Sequence, residues 1–294
     1  MLLPKFKYLK PETLKEACSV LSELNGKARV IAGGTDLMIN MKQKAARPAY
    51  LVDISYLPGL NTIEYNQDDA LKIGALCTHT DIESSSVIRE KFNILAQACG
   101  SIGSIQIRNL GTIGGNLCNA SPSADSVPAL LGLDAKVKIF GTAGENEVEL
   151  AKFFTGPGAT VLKPDEILTG IDICATTPHS FACYLKLSPR RAMDLAVVGV
   201  GIVLWLSADG STCTDIRIAL GAVAPVPIRA FKAEALIRGQ KLDNAVIEET
   251  ASVAAEETKP ITDLRGSVEY RKEMVKVLTG RGIRQGIAQT ANSL

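Results

Sequence analysis

Residues that usually carry catalysis or metals are scarce in this sequence. Only two histidines occur among 294 residues, His79 and His179. Neither has a ligand partner at helical spacing, so each is expected to be a surface or hydrogen-bonded residue. Seven cysteines (Cys18, Cys77, Cys99, Cys118, Cys174, Cys183 and Cys213) stand singly, with no C-x-x-C pair. That excludes a local ligand set for zinc or an iron–sulfur cluster. The odd, scattered count favours reduced thiols in a cytoplasm over a disulfide framework, with Cys118 and most of the others as core filler. There is no G-x-S-x-G elbow, no G-x-x-x-x-G-K-[ST] and no G-x-G-x-x-G opening a helix, which disfavours a serine hydrolase, a Walker NTPase and a Rossmann site in turn. The Ser84-Ser85-Ser86 run reads as a loop beside a helix rather than a nucleophile. A net charge of +1 gives no electrostatic case for nucleic acid or an anionic membrane. Lys42-Gln43-Lys44 and Arg190-Arg191 are too short for a binding stripe. The longest apolar run, 195–206, falls short of the roughly 20 residues of a membrane span and predicts one buried strand or two short ones. Residues 1–10 carry charge and Pro4 rather than a signal-peptide core.

What the sequence does have is glycine in two unusual places. In Arg108-Asn109-Leu110-Gly111-Thr112-Ile113-Gly114-Gly115-Asn116, three glycines fall within five residues. Upstream lies Ile31-Ala32-Gly33-Gly34-Thr35-Asp36-Leu37. Both predict tight turns that expose backbone N–H groups to something pressed close. Together they read as two lips of one anion site, the anion being a dinucleotide pyrophosphate.

Around these stretches the pattern predicts a helix over 13–24, with Thr13 and Glu16 as a capping box and Asn25-Gly26 as its stop. Strands are expected at 28–32, 50–54 and 70–76, followed by helical sequence over 80–99. A helix over 124–133 then leads to strands at 135–140, near 148 and at 166–173. Thr176-Thr177-Pro178 marks a break. Beyond it come strands at 181–187, 195–206 and 215–221, then helices at 229–238, 245–258 and 267–278. Strands first and helices after predict an α+β module with helices on one face of an antiparallel sheet. Two charged residues stand out. Lys186, near a strand end, is suited to stabilising negative charge on a reduced ring, or is a solvated basic turn. Asp125 is placed either to accept from ribose hydroxyls or to cap the helix after it.

The residues 31–37, Gln106-Ile107-Arg108-Asn109 and 111–116, in that order, resemble the FAD-binding medium subunit of the molybdenum hydroxylases, the family of xanthine, carbon monoxide and nicotinate dehydrogenases. Lys186, Arg190, Asp194 and Leu220-Gly221-Ala222-Val223-Ala224-Pro225-Val226-Pro227-Ile228-Arg229 extend the resemblance to the C-terminal module. It implies an α+β chain: a vanillyl-alcohol-oxidase-type (PCMH) FAD-binding domain of two α/β subdomains, 1–57 and 58–176, and a flavoprotein C-terminal domain, 177–294. Ile31, Ala32, Gly33, Gly34, Thr35, Asp36 and Leu37 would hold the pyrophosphate with Gly111, Thr112, Ile113, Gly114, Gly115 and Asn116. Asp125 would meet the ribityl or adenosine end and Lys186 the ring edge. Ile102 falls where some relatives carry an aromatic against the flavin, which implies apolar packing there. No catalytic residue and no metal ligand is implied on this chain.

The implied role is electron relay in the cytoplasm. Electrons would come from [2Fe–2S] clusters on a small partner subunit and pass through FAD to NAD or another acceptor. A large molybdopterin subunit would hydroxylate a purine or other N-heteroaromatic, the whole forming a dimer of heterotrimers. Phe153-Phe154-Thr155-Gly156-Pro157-Gly158 and residues 225–229 look closest to purine-type relatives. Three alternatives stay open: a stand-alone FAD oxidase, a carbon monoxide dehydrogenase-type medium subunit, and an assembly subunit without flavin. No nucleic-acid partner and no membrane span are expected.

Overall fold

The computed structural model describes residues 3–66, 70–174, 180–190 and 192–291. The expected break at Thr176-Thr177-Pro178, together with His179 and Arg191, lies outside the described residues.

The chain opens with β1 (Lys7–Leu9), α1 (Leu14–Leu24), β2 (Ala28–Ile31), α2 (Leu37–Lys42) and β3 (Tyr50–Asp53). The strands form a parallel sheet in the order β1-β3-β2, which requires the helical crossovers between them. Thr13 caps α1 by accepting from the Glu16 N–H, and Asn25 ends it in the left-handed region at φ 43°. The Glu16 carboxylate takes the N–H of Glu12 rather than that of the cap residue, so the expected capping box is half formed. Ala17, Cys18 and Leu21 of α1 pack with Val52 and Ile54 as the core of this first layer.

Next come β4 (Ile63–Tyr65), β5 (Leu71–Gly74), α3 (His79–Ser84), α4 (Ser86–Lys91), α5 (Asn93–Gly100), α6 (Ile105–Arg108), α7 (Ile113–Asn119), α8 (Ser126–Gly132), β6 (Lys136–Gly141), β7 (Gly144–Glu149), α9 (Leu150–Phe153), β8 (Phe154–Gly156), β9 (Ala159–Thr160) and β10 (Ile167–Ile173). Five strands make an antiparallel sheet, β4-β5-β10-β6-β7. The helical stretch expected over 80–99 is three helices rather than one. Ser85 turns extended between α3 and α4, and Phe92 leaves the helical region between α4 and α5. A second correction concerns residues 111–116. They form no free turn: Thr112 is the N-cap of α7, and Gly114 and Gly115 sit in its first turn.

The last part holds β11 (Ser180–Leu187), β12 (Val198–Leu206), β13 (Cys213–Gly221), β14 (Ile228–Arg229), α10 (Phe231–Ile237), α11 (Asn244–Glu256) and α12 (Val268–Ala291). The sheet is antiparallel in the order β11-β12-β13-β14. Its own helices cover one face, as expected, while α5 and α8 from the preceding part cover the other. That double covering explains why β12 is an unbroken apolar run forming one strand. Along it, even positions such as Val200, Ile202 and Leu204 belong to the core under α12, whereas Val203 belongs to the core around α8. Gly201 lies on the α8 side: a Cβ there would stand 2.6 Å from the Pro128 carbonyl oxygen. Helix α12 runs well past the expected end near 278. Gly282 and Gly286, one turn apart, let it lie directly on Ile202 and Leu204, since Cβ atoms there would stand 2.6 Å and 2.8 Å from those side chains. No helix among the described residues is long and apolar enough to cross a membrane.

Candidate functional site

The two glycine stretches touch. A Cβ on Gly33 would lie 1.8 Å from the Leu110 carbonyl oxygen, so only a residue without a side chain permits this approach. A Cβ on Gly111 would in turn stand 3.4 Å from Thr35 Oγ1 and 3.3 Å from the His79 ring. Gly34 adopts φ +69°, the left-handed region that favours glycine. The chain can therefore leave β2, press against residues 110–111 and enter α2 within a few residues.

Backbone hydrogen bonding separates the two lips. Among the described residues, no protein acceptor takes the N–H groups of Gly33, Gly34, Thr35, Asp36 or Leu37. On the second lip the donors are consumed. Ile113 N–H donates to Cys77 O at 2.9 Å, Gly114 N–H to Ala75 O at 2.9 Å and Asn116 N–H to Thr112 O at 2.9 Å, while Gly115 N–H donates to Thr112 Oγ1 at 3.1 Å. Gly114 is required for this docking, because its Cβ would meet Ala75 Cβ at 2.7 Å.

Between the lips lies a cleft of about 770 Å³, within the range of small-molecule and cofactor sites. It gathers Ile31, Ala32, Gly33, Gly34, Thr35, Asp36, Leu37, Ile102, Gly111, Thr112, Gly114, Gly115 and Asn116 in its wall. Three of the expected residues are not in that wall. Ile113 is fully buried in the core. Asp125 is 6% exposed and makes no capping bond to α8, so the capping expectation does not hold. Its oxygens instead accept from Tyr184 Oη at 2.6 Å and Lys186 Nζ at 2.7 Å. Lys186 Nζ also donates to Ser101 O at 3.0 Å, so it is a half-buried ion-pair member rather than a solvated basic turn. Burial raises the Asp125 carboxyl while Lys186 opposes it, and burial beside Asp125 raises the Tyr184 hydroxyl well above its ordinary value.

Sequence reasoning missed two wall residues. His79 is buried rather than at the surface: its main-chain N–H is hydrogen-bonded, but among the described residues its ring Nδ1 has no partner. Burial, helped by nearby Arg108, lowers it to about 4, so the ring is neutral. The available signal was its place one residue after Thr78, which caps α3 in a reciprocal box with Asp81; the bridge from Thr78 to Thr112, which brings it to the second lip, has no local signal. Cys118, expected to be filler, is exposed and lines the cleft, although the surrounding protein pushes its thiol up to about 12. Asp36, at the N-cap of α2, makes no capping bond, and burial raises its carboxyl.

The cleft is thus built of unpartnered backbone donors, apolar walls and a neutral imidazole. Its chemistry is that of holding an extended anionic molecule. Residues 4–176 match the family described as FAD binding domain in molybdopterin dehydrogenase, and residues 183–285 match the CO dehydrogenase flavoprotein C-terminal domain. The chain is 34% identical to the glyceraldehyde dehydrogenase medium chain of Sulfolobus acidocaldarius, over 96% of this chain and 98% of that one. It is 32% identical to the xanthine dehydrogenase FAD-binding subunit of Escherichia coli, covering 98% of each. Among solved structures, carbon monoxide dehydrogenase from Hydrogenophaga pseudoflava superposes with a TM-score of 0.94 at 31% identity, covering 98% of this chain and 99% of that one. Quinoline 2-oxidoreductase from Pseudomonas putida 86 does so with a TM-score of 0.91 at 28% identity, covering 99% of each.

Proposed function

We propose an electron-relay role for this chain, which belongs to the family of FAD-binding medium subunits of the molybdopterin dehydrogenases. Its fold is the PCMH-type FAD domain followed by the flavoprotein C-terminal domain. The observation that carries the proposal is the row of unpartnered N–H groups at 33–37, pressed by Gly33 against Leu110 at the edge of the cleft. A dinucleotide diphosphate fits this row: it is an anion with many acceptors, and no side chain intervenes.

FAD supplies the redox chemistry, since it can take electrons singly and release them as a pair. The chain's own residues bind and orient. The N–H groups of 33–37 and the Thr35 hydroxyl hold the diphosphate. Exposed Gly115 lets it approach α7, and Ile102 forms an apolar part of the wall. Ile31, Asp36, Leu37, Gly111, Thr112, Gly114 and Asn116 complete the contact surface. Electrons arrive from [2Fe–2S] clusters of a small subunit and leave to NAD or oxygen, while a large molybdopterin subunit oxidises the substrate. The assembly is a dimer of heterotrimers, and seven free cysteines support its place in the cytoplasm. We divide the chain into three units, 1–57, 58–176 and 177–294; the grouping of most strands into three main sheets supports this division. The substrate class is a purine or another N-heteroaromatic. Phe153 and Phe154 give this no support: they are core residues packed edge to face with centroids 5.3 Å apart.

The test is to purify the chain with the products of its neighbouring genes and record a visible spectrum. FAD released in a one-to-one ratio with this chain, cluster absorbance that follows the small subunit, and N-heteroaromatic oxidation by the complex alone are expected. A colourless chain that takes up no added FAD overturns the role, and unaided turnover by the isolated chain favours a stand-alone oxidase.

A further inference from the structure

Residues 101–103, between α5 and α6, carry Ile102 into the cleft wall. Their three successive carbonyl groups are each held by a donor from a different part of the molecule. Ser101 O accepts from Lys186 Nζ at 3.0 Å, Ile102 O from Arg108 Nη1 at 3.2 Å and Gly103 O from the Met193 N–H at 3.1 Å. Connecting loops run over the surface, where a carbonyl can take water in place of a protein donor. Three in a row taken by protein donors fix this loop.

The donors are themselves braced. Arg108 Nε pairs with Glu83 at 2.8 Å. Lys186 pairs with Asp125 at 2.7 Å, and Asp125 also accepts from Tyr184, whose N–H donates to Gln97 Oε1 of α5 at 3.0 Å. Met193 holds φ 65°, an uncommon conformation for a residue with a side chain. Lys186 lies on β11 and Met193 in the connection after it, so two of the three donors belong to the C-terminal sheet and its loops.

We infer that Lys186 is a positioning residue: acting through the Ser101 carbonyl, with Arg108 and the Met193 N–H, it holds Ile102 in the wall of the cofactor cleft, so that the C-terminal module shapes the flavin's surroundings through this loop. The inference rests on the proposed FAD role and departs from the expectation that Lys186 meets the ring edge itself. An ion pair with Asp125 alone would not require Lys186 to bond Ser101, nor would it explain the two companion donors.

The test uses the full chain loaded with FAD and reads FAD affinity, the shape of the visible flavin bands and the flavin midpoint potential. Lys186→Met is combined with Asp125→Asn, which keeps the Tyr184 bond and leaves no lone buried carboxylate. The pair is expected to weaken FAD about tenfold, as for a lost hydrogen bond from a charged group, and to shift both bands and potential. Ile102→Ala alone should shift them in the same sense. Adding it to the pair should change affinity by less than about twofold more, because residues acting through one wall are not additive. Multiplicative effects, or an unchanged flavin signature in the folded pair, overturn the inference. Arg108→Gln provides the reading if the pair does not fold: it should shift the bands in the same way, and an unshifted spectrum overturns the inference. Failure of the wild-type chain to bind FAD would instead sink the proposed role.

Discussion

From Gly33 to Leu37, five backbone N–H groups have no protein acceptor among the described residues, whereas every N–H from Ile113 to Asn116 has one. The two stretches share a composition, Gly-Gly flanked by Thr and Asp or Asn, and use it differently. In the first, Gly33 permits contact with Leu110 and Gly34 supplies φ +69°, which together leave the donors facing outward. In the second, Gly114 permits α7 to dock on the end of β5; the Ile113 and Gly114 N–H groups are spent on that docking, and those of Gly115 and Asn116 on Thr112 at the helix start. One lip therefore offers hydrogen bonds to a ligand; the other gives the surface on which the first is braced. Glycine richness alone does not distinguish these roles, because both follow from the missing Cβ.

Substituting the glycines should separate them, with the largest effect at Gly33. Gly33→Val would drive a side chain into the Leu110 carbonyl, which is backbone and cannot swing aside. The lips must part, so the variant is expected to lose FAD entirely and to melt well below wild type, as measured by released flavin and thermal unfolding. Gly115→Val should lose FAD as well but lower the melting temperature far less than Gly33→Val, its loss of stability being no more than that of the Thr112 cap, about 1 kcal/mol. Gly115 is exposed, and the nearest atom a Cβ would meet is the Thr112 hydroxyl at 2.9 Å. Equal losses of stability in the two variants would contradict the division of labour.

Acidity gives the next contrast. The main-chain N–H of His79 donates to Gly111 O at 3.0 Å, and burial followed by Arg108 lowers its ring to about 4. In the unfolded chain the ring takes a proton near pH 6.5, so between these values the unfolded state binds a proton that the native state does not. Stability from this group is present above pH 6.5 and falls as pH drops towards 4. Between pH 7 and pH 5, wild type should lose about 2 kcal/mol more than His79→Gln, read from urea midpoints. Asp36 on the first lip acts in the opposite sense: burial raises its carboxyl, so it favours the folded state as pH falls. A parallel pH profile for wild type and His79→Gln would mean that the ring titrates normally.

Much of this was legible in the sequence, and the failures have physical causes. The order of strands and helices came from periodicity, and the pairing of lips from two glycine clusters after strands. The start of α7 was read as a turn because two glycines at a helix start each cost about 1 kcal/mol in propensity; contact with Ala75 outweighs that, and no local pattern announces it. The same reasoning hid the end of α12, where Gly282 and Gly286 look like stops and are contact points on β12. Strands β1 and β4 span three residues each, too short for alternation to appear. The partners of Asp125 and Lys186 are 59 to 85 residues away, and nothing short-range encodes a pairing at that distance.

The finest test of the comparison lies in the two threonines, Thr35 and Thr112. Thr112 Oγ1 accepts from Gly115 N–H and so caps α7. Thr112→Val keeps the shape and removes the acceptor, which should cost about 1 kcal/mol of stability in the FAD-free chain, the usual value of a lost N-cap. Thr35 Oγ1 has no protein partner among the described residues. Thr35→Val should leave the FAD-free melting temperature unchanged and weaken FAD by about tenfold, as for one lost hydrogen bond to a charged acceptor. The pair is decisive because the two substitutions are chemically identical and differ only in what the hydroxyl already holds. If Thr35→Val destabilised the FAD-free chain and Thr112→Val did not, the first lip would be the brace and the second the donor, reversing the assignment.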